Sequence, residues 1–165
     1  MCRFFVMIDV KDKTVAIIGN ATSIFDTPHP DIDNHDVIIR FNKGFITKPY
    51  SQGSRTDVVI LSLELTDEEK QRFNAKLYIN RSPKTKCGDI TISDTFRARL
   101  KEIIGKQPSS GYMAICLCID AKRIDLYGFD FGKTPTYYNP DGYVTLHDFN
   151  KEFELIKRIK KVHIN

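Results

Sequence analysis

Apolar residues fall in short, separated runs along this chain. Val15-Ala16-Ile17-Ile18 stops at Gly19-Asn20, and Val37-Ile38-Ile39 ends in Arg40-Phe41-Asn42. Short apolar runs bounded by turn residues read as buried strands. The pattern recurs at Thr56–Leu61, Ala75–Asn80 and Arg123–Phe129, the last ending near Gly128. Phe4–Ile8 offers a short strand or a packed arm. Thr22 to Asp36, with Pro28, Pro30 and several Asp residues, reads as loop with about one helical turn. Lys43–Arg55 reads as loop throughout.

Helical signals lie between the later strands. Thr66-Asp67-Glu68-Glu69 has the form of a capping box and predicts a helix to about Phe73. Ser93 predicts a cap for a helix with Phe96, Leu100 and Ile103 on one face, stopped at Gly105. Pro108-Ser109-Ser110-Gly111 leads into a buried helix over YMAICLCIDA. An aromatic loop, Thr134–Tyr143, precedes a last helix from about Asp148. Its stripe is Phe149, Phe153, Ile156 and Ile159, and its last turns hold Lys157, Arg158, Lys160 and Lys161, as a helix dipole favours. Alternating strands and helices predict an α/β fold: one Rossmann-like domain over residues 1–165, with a mostly parallel central sheet flanked by helices. Ligands of such sheets bind at the carboxyl ends of the strands, so Asn20 and Asn42 are expected side by side on that face. Their neutral amides both donate and accept, which suits sugar hydroxyls and a ribose.

Composition changes this picture little. The chain has 165 residues, 41% hydrophobic and 28% charged, which fits an ordinary globular domain. Its net charge of +4 hints at an anionic ligand and is too small to argue for nucleic acid. No apolar run approaches the roughly 20 residues of a membrane span. The four cysteines, Cys2, Cys87, Cys116 and Cys118, have neither metal-type spacing nor a disulfide pattern. Cys116 and Cys118 read as small core residues, and a reducing cytoplasm is the expected location.

Several elements could carry chemistry, each with a plainer alternative. Gly19-Asn20 is a ligand turn or an ordinary end of a strand; no GxGxxG is present. Ser109, Ser110 and Gly111 open a helix whose free N–H groups suit a phosphate or carboxylate, or one serine caps the helix and no more. His147 stands just before the last helix, whose positive end favours the neutral ring that a general base requires; the alternative is a surface or capping histidine. Tyr137-Tyr138 could close over a ligand and donate hydroxyls to a phosphate, or simply pack. His29 and His35 lie in the first loop, and His163 lies where chain ends fray.

Taken in order, GN…IDNHDVIIRFN, GSRTD, PSSG before an apolar helix, YGF, YY and His147-x-x-x-x-Glu152 resemble the eukaryotic-type sialyltransferases, glycosyltransferase family 29. The resemblance runs from Val15 to Glu152 and covers the family's large, small, third and terminal motifs. It implies a GT-A-like variant of the Rossmann-like fold. It implies a metal-independent, inverting transfer of sialic acid, or a related acid sugar, from a CMP-linked donor to a hydroxyl of a glycan or other acceptor, with no further cofactor. It also implies roles: Asn20 and Asn42 on the donor nucleotide and phosphate; Ser109, Ser110 and Gly111 holding the donor; Gly128 beside the cytosine; His147 as catalytic base; Glu152 supporting the helix. Asp31-Ile32-Asp33 has the spacing of a metal site but falls inside the large motif and is assigned to structure.

The departures from the family are specific. Tyr137 takes the place of a third-motif histidine and brings no positive charge, so Lys133 or Arg123 is a candidate to help the leaving phosphate. Val15 and Ala121 occupy the positions of the family's disulfide cysteines. The membrane anchor and stem of secretory members have no counterpart. A CMP- or nucleotide-sugar-binding module without transfer activity is the alternative. A nucleic-acid partner is the weakest reading, because the basic residues of the last helix already fit its dipole.

Overall fold

The computed structural model describes residues 8–142 and 145–165. Most of the expected N-terminal arm, Phe4 to Met7, lies outside them, as does Tyr143 of the aromatic loop. The strands are β1 Thr14–Ile18, β2 Val37–Phe41, β3 Val58–Leu61, β4 Leu77–Asn80, β5 Ile90–Thr91, β6 Arg123–Tyr127 and β7 Val162–Ile164. They form one seven-stranded sheet in the order β5-β4-β3-β2-β1-β6-β7, and every pairing in it is parallel. The chain runs outward from β1 to β5, then returns to lay β6 on the other side of β1. The crevice at the carboxyl ends of β1 and β6 is therefore the topological switch point, where such sheets take their ligands.

The central strands are buried on both faces, as expected for a covered parallel sheet. Alternate side chains enter two different layers. Val15, Ile17, Val37 and Ile39 pack with Leu100 and Ile104 of α3 (Asp94–Ile104) and with Met113 and Ile115 of α4 (Ser110–Leu117). Ala16, Ile18 and Ile38 face Ile24 and Ile32, which come from two 3-10 turns, Thr22–Asp26 and Ile32–Asn34. The first loop thus holds two short turns rather than one. A short helix, α1 (Pro49–Gln52), interrupts the expected Lys43–Arg55 loop.

The capping signals are realised. In α2 (Asp67–Phe73), Glu69 N–H donates to Thr66 Oγ1 (3.2 Å) and Thr66 N–H to Glu69 Oε2 (3.0 Å). Ser93 accepts from Phe96 N–H, and Gly105 ends α3 at a φ of +82°. The last helix, α5 (Phe149–Ile156), is shorter than expected. The basic residues from Lys157 to Lys161 follow it, and the chain then drops onto the sheet edge as β7. His163, expected to fray, is a strand residue paired opposite Asp125.

Asp125 explains part of that edge. Its buried carboxylate accepts from Arg123 Nε (2.6 Å) and Nη2 (2.8 Å), His35 Nε2 (3.0 Å) and Asn165 Nδ2 (3.3 Å). Burial alone would raise its pKa, but these hydrogen bonds and the Arg123 charge outweigh it and bring the carboxyl down to about 2. A carboxyl depressed in the folded state stabilises above its unfolded pKa near ~4, and that stability is lost as pH falls through about 2. Thermal melts between about pH 5 and pH 2 should show the loss, and Asp125→Asn should flatten it while costing about 2 kcal/mol near neutrality. An unchanged acid profile in the variant would contradict the assignment. Arg123 is thereby placed at the amino end of β6, away from the switch point, which removes it as a partner for a leaving group there.

Candidate active site

Two glycines shape the switch point. Gly128, just after β6, has a φ of +68°, and a Cβ built on it would lie 2.7 Å from the Gly19 carbonyl oxygen. A Cβ on Gly19, just after β1, would lie 2.4 Å from the Gly128 oxygen. Side chains at either position would push the strand ends apart. A cavity of about 310 Å³ opens here, lined in part by Ser23, Gly128, Asp130 and Lys133.

Asn20 and Asn42 follow the ends of β1 and β2, on the same edge of the sheet. Asn20 Nδ2 donates to the Phe41 carbonyl (3.0 Å), and its Oδ1 accepts from Tyr137 Oη (3.4 Å). Asn42 adopts the left-handed region at a φ of +50°, and its Oδ1 accepts from Ser62 N–H (2.7 Å) and Oγ (3.0 Å). The backbone donor fixes which end of the Asn42 amide is oxygen. Its Nδ2 has no hydrogen-bond partner among the described residues.

Tyr137 belongs to a strap laid over the end of β1. Ala21 bridges to Thr136, Tyr137 N–H donates to the Asn20 carbonyl (3.0 Å), and Tyr137 Oη also reaches the Phe45 carbonyl (3.3 Å). Its hydroxyl is thus committed to bracing Asn20, and burial raises its pKa. Tyr138 Oη stands 3.5 Å from Asn20 Nδ2.

Ser109 caps α4: its Oγ accepts from Tyr112 N–H (3.1 Å). It also joins two helices. Its N–H donates to Glu152 Oε1 (2.7 Å) and its Oγ to Glu152 Oε2 (2.6 Å), across 43 positions of sequence. Glu152 is 2% exposed, and burial raises its pKa against the lowering effect of those bonds. Ser110 and Gly111 are the first residues of α4. A Cβ on Gly111 would meet the Phe129 ring at 2.6 Å, so that glycine lets α4 approach the YGF turn.

The Ser109–Glu152 tie fixes where α5 begins, and His147 stands two residues before α5. His147 Nδ1 lies 2.8 Å from the Gln107 carbonyl. A carbonyl only accepts, so Nδ1 carries the proton in the neutral ring and Nε2 keeps its lone pair. Burial lowers the His147 pKa; the Gln107 contact opposes this and the positive Arg81 adds to it. A pKa below the ordinary 6.5 favours the neutral imidazole at neutral pH, with burial as the leading cause.

Two features escaped the sequence reading. Arg40 is completely buried beneath this edge, donating to Thr56 Oγ1 (2.9 Å) and to the carbonyls of Gln52 (2.7 Å) and Arg55 (2.9 Å). Burial lowers its pKa to about 10, so it stays charged at neutral pH and holds the segment that follows Asn42. Its signal was visible as a lone cation inside an apolar strand. The second is a cleft of about 700 Å³ that contains Ser62, the partner of Asn42, and Gln107, the partner of His147. No local pattern marks it, because its walls come from four separate segments.

The Asp31-Ile32-Asp33 carboxylates face different partners. Asp33 accepts from the Ser54 and Arg55 N–H groups, and Asp31 from Tyr127 Oη. Among the described residues no cluster of three or more His, Cys, Asp or Glu side chains is placed to hold a metal ion. Cys118 is buried in the core, where its thiol is pushed up to about 12, and half-buried Cys116 to about 11. No helix among the described residues is long and apolar enough to cross a membrane.

A parallel sheet with its switch point between paired glycines and amides at two strand ends is the arrangement in which open α/β sheets take ligands. Solved structures narrow the fold further. A mammalian sialyltransferase superposes with a TM-score of 0.67 at 20% identity, over 93% of this chain and 68% of that one. An alpha-2,3-sialyltransferase from Campylobacter jejuni gives 0.63 at 16% identity, over 99% and 79%. A sialyltransferase from the same organism, in complex with cytidine-5'-monophosphate, gives 0.61 at 17% identity, over 93% and 80%. The chain has the sialyltransferase fold. No sequence-family pattern and no curated protein matches it by sequence.

Proposed function

We propose that this protein is a glycosyltransferase that moves sialic acid, or a related acid sugar, from a CMP-linked donor to an acceptor hydroxyl, with inversion and without a metal. The observation that carries the reading is the setting of His147: Nδ1 lies 2.8 Å from the Gln107 carbonyl, which as an acceptor leaves the lone pair on Nε2, and burial lowers the ring's pKa, in a chain with the sialyltransferase fold. Nε2 takes the proton of the acceptor hydroxyl as that oxygen attacks the anomeric carbon. The bond from that carbon to the phosphate oxygen breaks, and CMP departs. Its growing charge is met by neutral donors, namely the Asn42 amide and the first N–H groups of α4 at Ser110 and Gly111, with Asn20 held in place by Tyr137. Gly128 leaves room for the base at the switch point. Glu152 positions His147 through Ser109. The donor sugar and the acceptor hydroxyl are the two partners, and no further cofactor takes part.

A thermal-shift panel of CMP, CDP, UDP and GDP tests the donor class. CMP should raise the melting temperature selectively, because ligand bound only to the folded state stabilises it by mass action. A preference for UDP or GDP would overturn the reading. CMP binding with no transfer under any acceptor would favour a binding module in its place.

A further inference from the structure

The cleft of about 700 Å³ beside the His147 loop is walled by Arg81, Lys84, Arg97, Lys101 and Lys106, and among the described residues no acidic side chain and no aromatic ring lines it. Arg97 and Lys101 sit one turn apart on α3 and so share a face. Lys106 follows the Gly105 cap, and Arg81 and Lys84 come from the segment between β4 and β5. Arg81 donates to the Pro108 carbonyl (2.6 Å), and Arg97 pairs with Asp94. Lys84, Lys101 and Lys106 make no salt bridge among the described residues.

Position gives this charge its meaning. Gln107 belongs to the wall of the cleft, and its carbonyl is the group that orients His147. Thr145 and Leu146, which lead into His147, form another part of the wall. Whatever fills the cleft therefore lies next to the proposed base, where the acceptor must present its hydroxyl. Among the described lining residues a neutral sugar finds no ring face to stack on, whereas five cations face the space. A concave wall of one sign focuses its field and draws in ligands of the opposite sign.

We propose that the acceptor is an acidic glycan, one that carries a carboxylate or phosphate close to the hydroxyl that attacks. The inference rests on His147 being the base. The reading above places the donor's anionic groups at the α4 start and the asparagines, and Ser62, the partner of Asn42, borders the cleft on that side, so CMP affinity is the measurement that separates donor from acceptor.

The test is direct binding, by titration calorimetry or NMR, of lactose, sialyllactose and galactose 6-phosphate to the wild type and to a Lys84→Ala, Lys101→Ala, Lys106→Ala triple variant, with CMP measured alongside. All three lysines are exposed, so the variant should fold. At low salt at least one acidic sugar should bind the wild type about tenfold or more tighter than lactose, with the advantage shrinking as salt rises. The triple variant should lose that advantage and keep CMP affinity. Tight binding of sialyllactose alone identifies a carboxylate as the group recognised, and of galactose 6-phosphate alone a phosphate. Equal binding of lactose, an advantage that survives in the variant, or a matching loss of CMP affinity would overturn the inference. If the wild type binds acidic sugar but not CMP, the anionic-sugar cleft stands and the CMP-donor reading fails.

Discussion

Replacing His147 by Ala is expected to lower the transfer rate by about a hundred- to ten-thousand-fold, the usual contribution of a positioned general base. CMP should bind the variant as it binds the wild type, since no donor contact is assigned to the imidazole. The pH dependence sharpens the expectation. The ring must be neutral to accept a proton, and burial holds its pKa below the ordinary 6.5. Activity should therefore be complete at neutral pH and fall along an acidic limb whose midpoint lies below 6.5. That limb should vanish in His147→Ala. A midpoint above 6.5, or an unchanged rate in the variant, would remove His147 from the role.

Glu152→Ala should be the most damaging change that touches no reacting atom. Its two oxygens take both the N–H and the hydroxyl of Ser109. Removing a buried partner leaves donors unsatisfied, at about 1–3 kcal/mol each. A total of about 3 kcal/mol would lower the melting temperature by roughly 6–12 °C in a chain of this length. The same tie sets the start of α5 and hence the place of His147, so activity should fall further than the lost stability explains. Glu152→Gln keeps one acceptor oxygen and should recover part of both. If Glu152→Gln melts like the wild type yet is as inactive as His147→Ala, Glu152 takes a direct part in the chemistry instead.

Much of the sheet and half of the site were legible in the sequence because their signals are local. β1 and β2 are unbroken apolar runs closed by Gly19-Asn20 and Asn42, and the caps at Thr66, Ser93 and Gly105 lie within a few residues of what they cap. The end of the chain shows the limit. Ile156, Ile159 and Val162 are spaced by three, which continues a helical stripe as well as it introduces an edge strand. Only pairing with β6 decides for β7. β5 was missed because two exposed residues at a sheet edge carry no alternation to detect.

The polar contacts that define the site are long-range. Tyr137 on Asn20 spans 117 positions, and Glu152 on Ser109 spans 43. A sequence shows that such residues exist and not that they meet. It cannot tell a tyrosine that donates to a phosphate from one that braces an asparagine. The lysine-lined cleft is the extreme case, since exposed lysines at separate positions look like ordinary surface until the fold brings them to one wall.

Whether His147 drives transfer from a CMP-linked acid sugar can be read from CMP release from CMP-sialic acid. The wild type and His147→Ala are compared, with lactose and sialyllactose supplied as acceptors. The wild type should release CMP only with acceptor present and give a glycoside of inverted anomeric configuration, and the variant should lose about a hundredfold or more of that rate despite intact CMP binding. Wild-type turnover by His147→Ala, or a product that retains the donor's configuration, would contradict it.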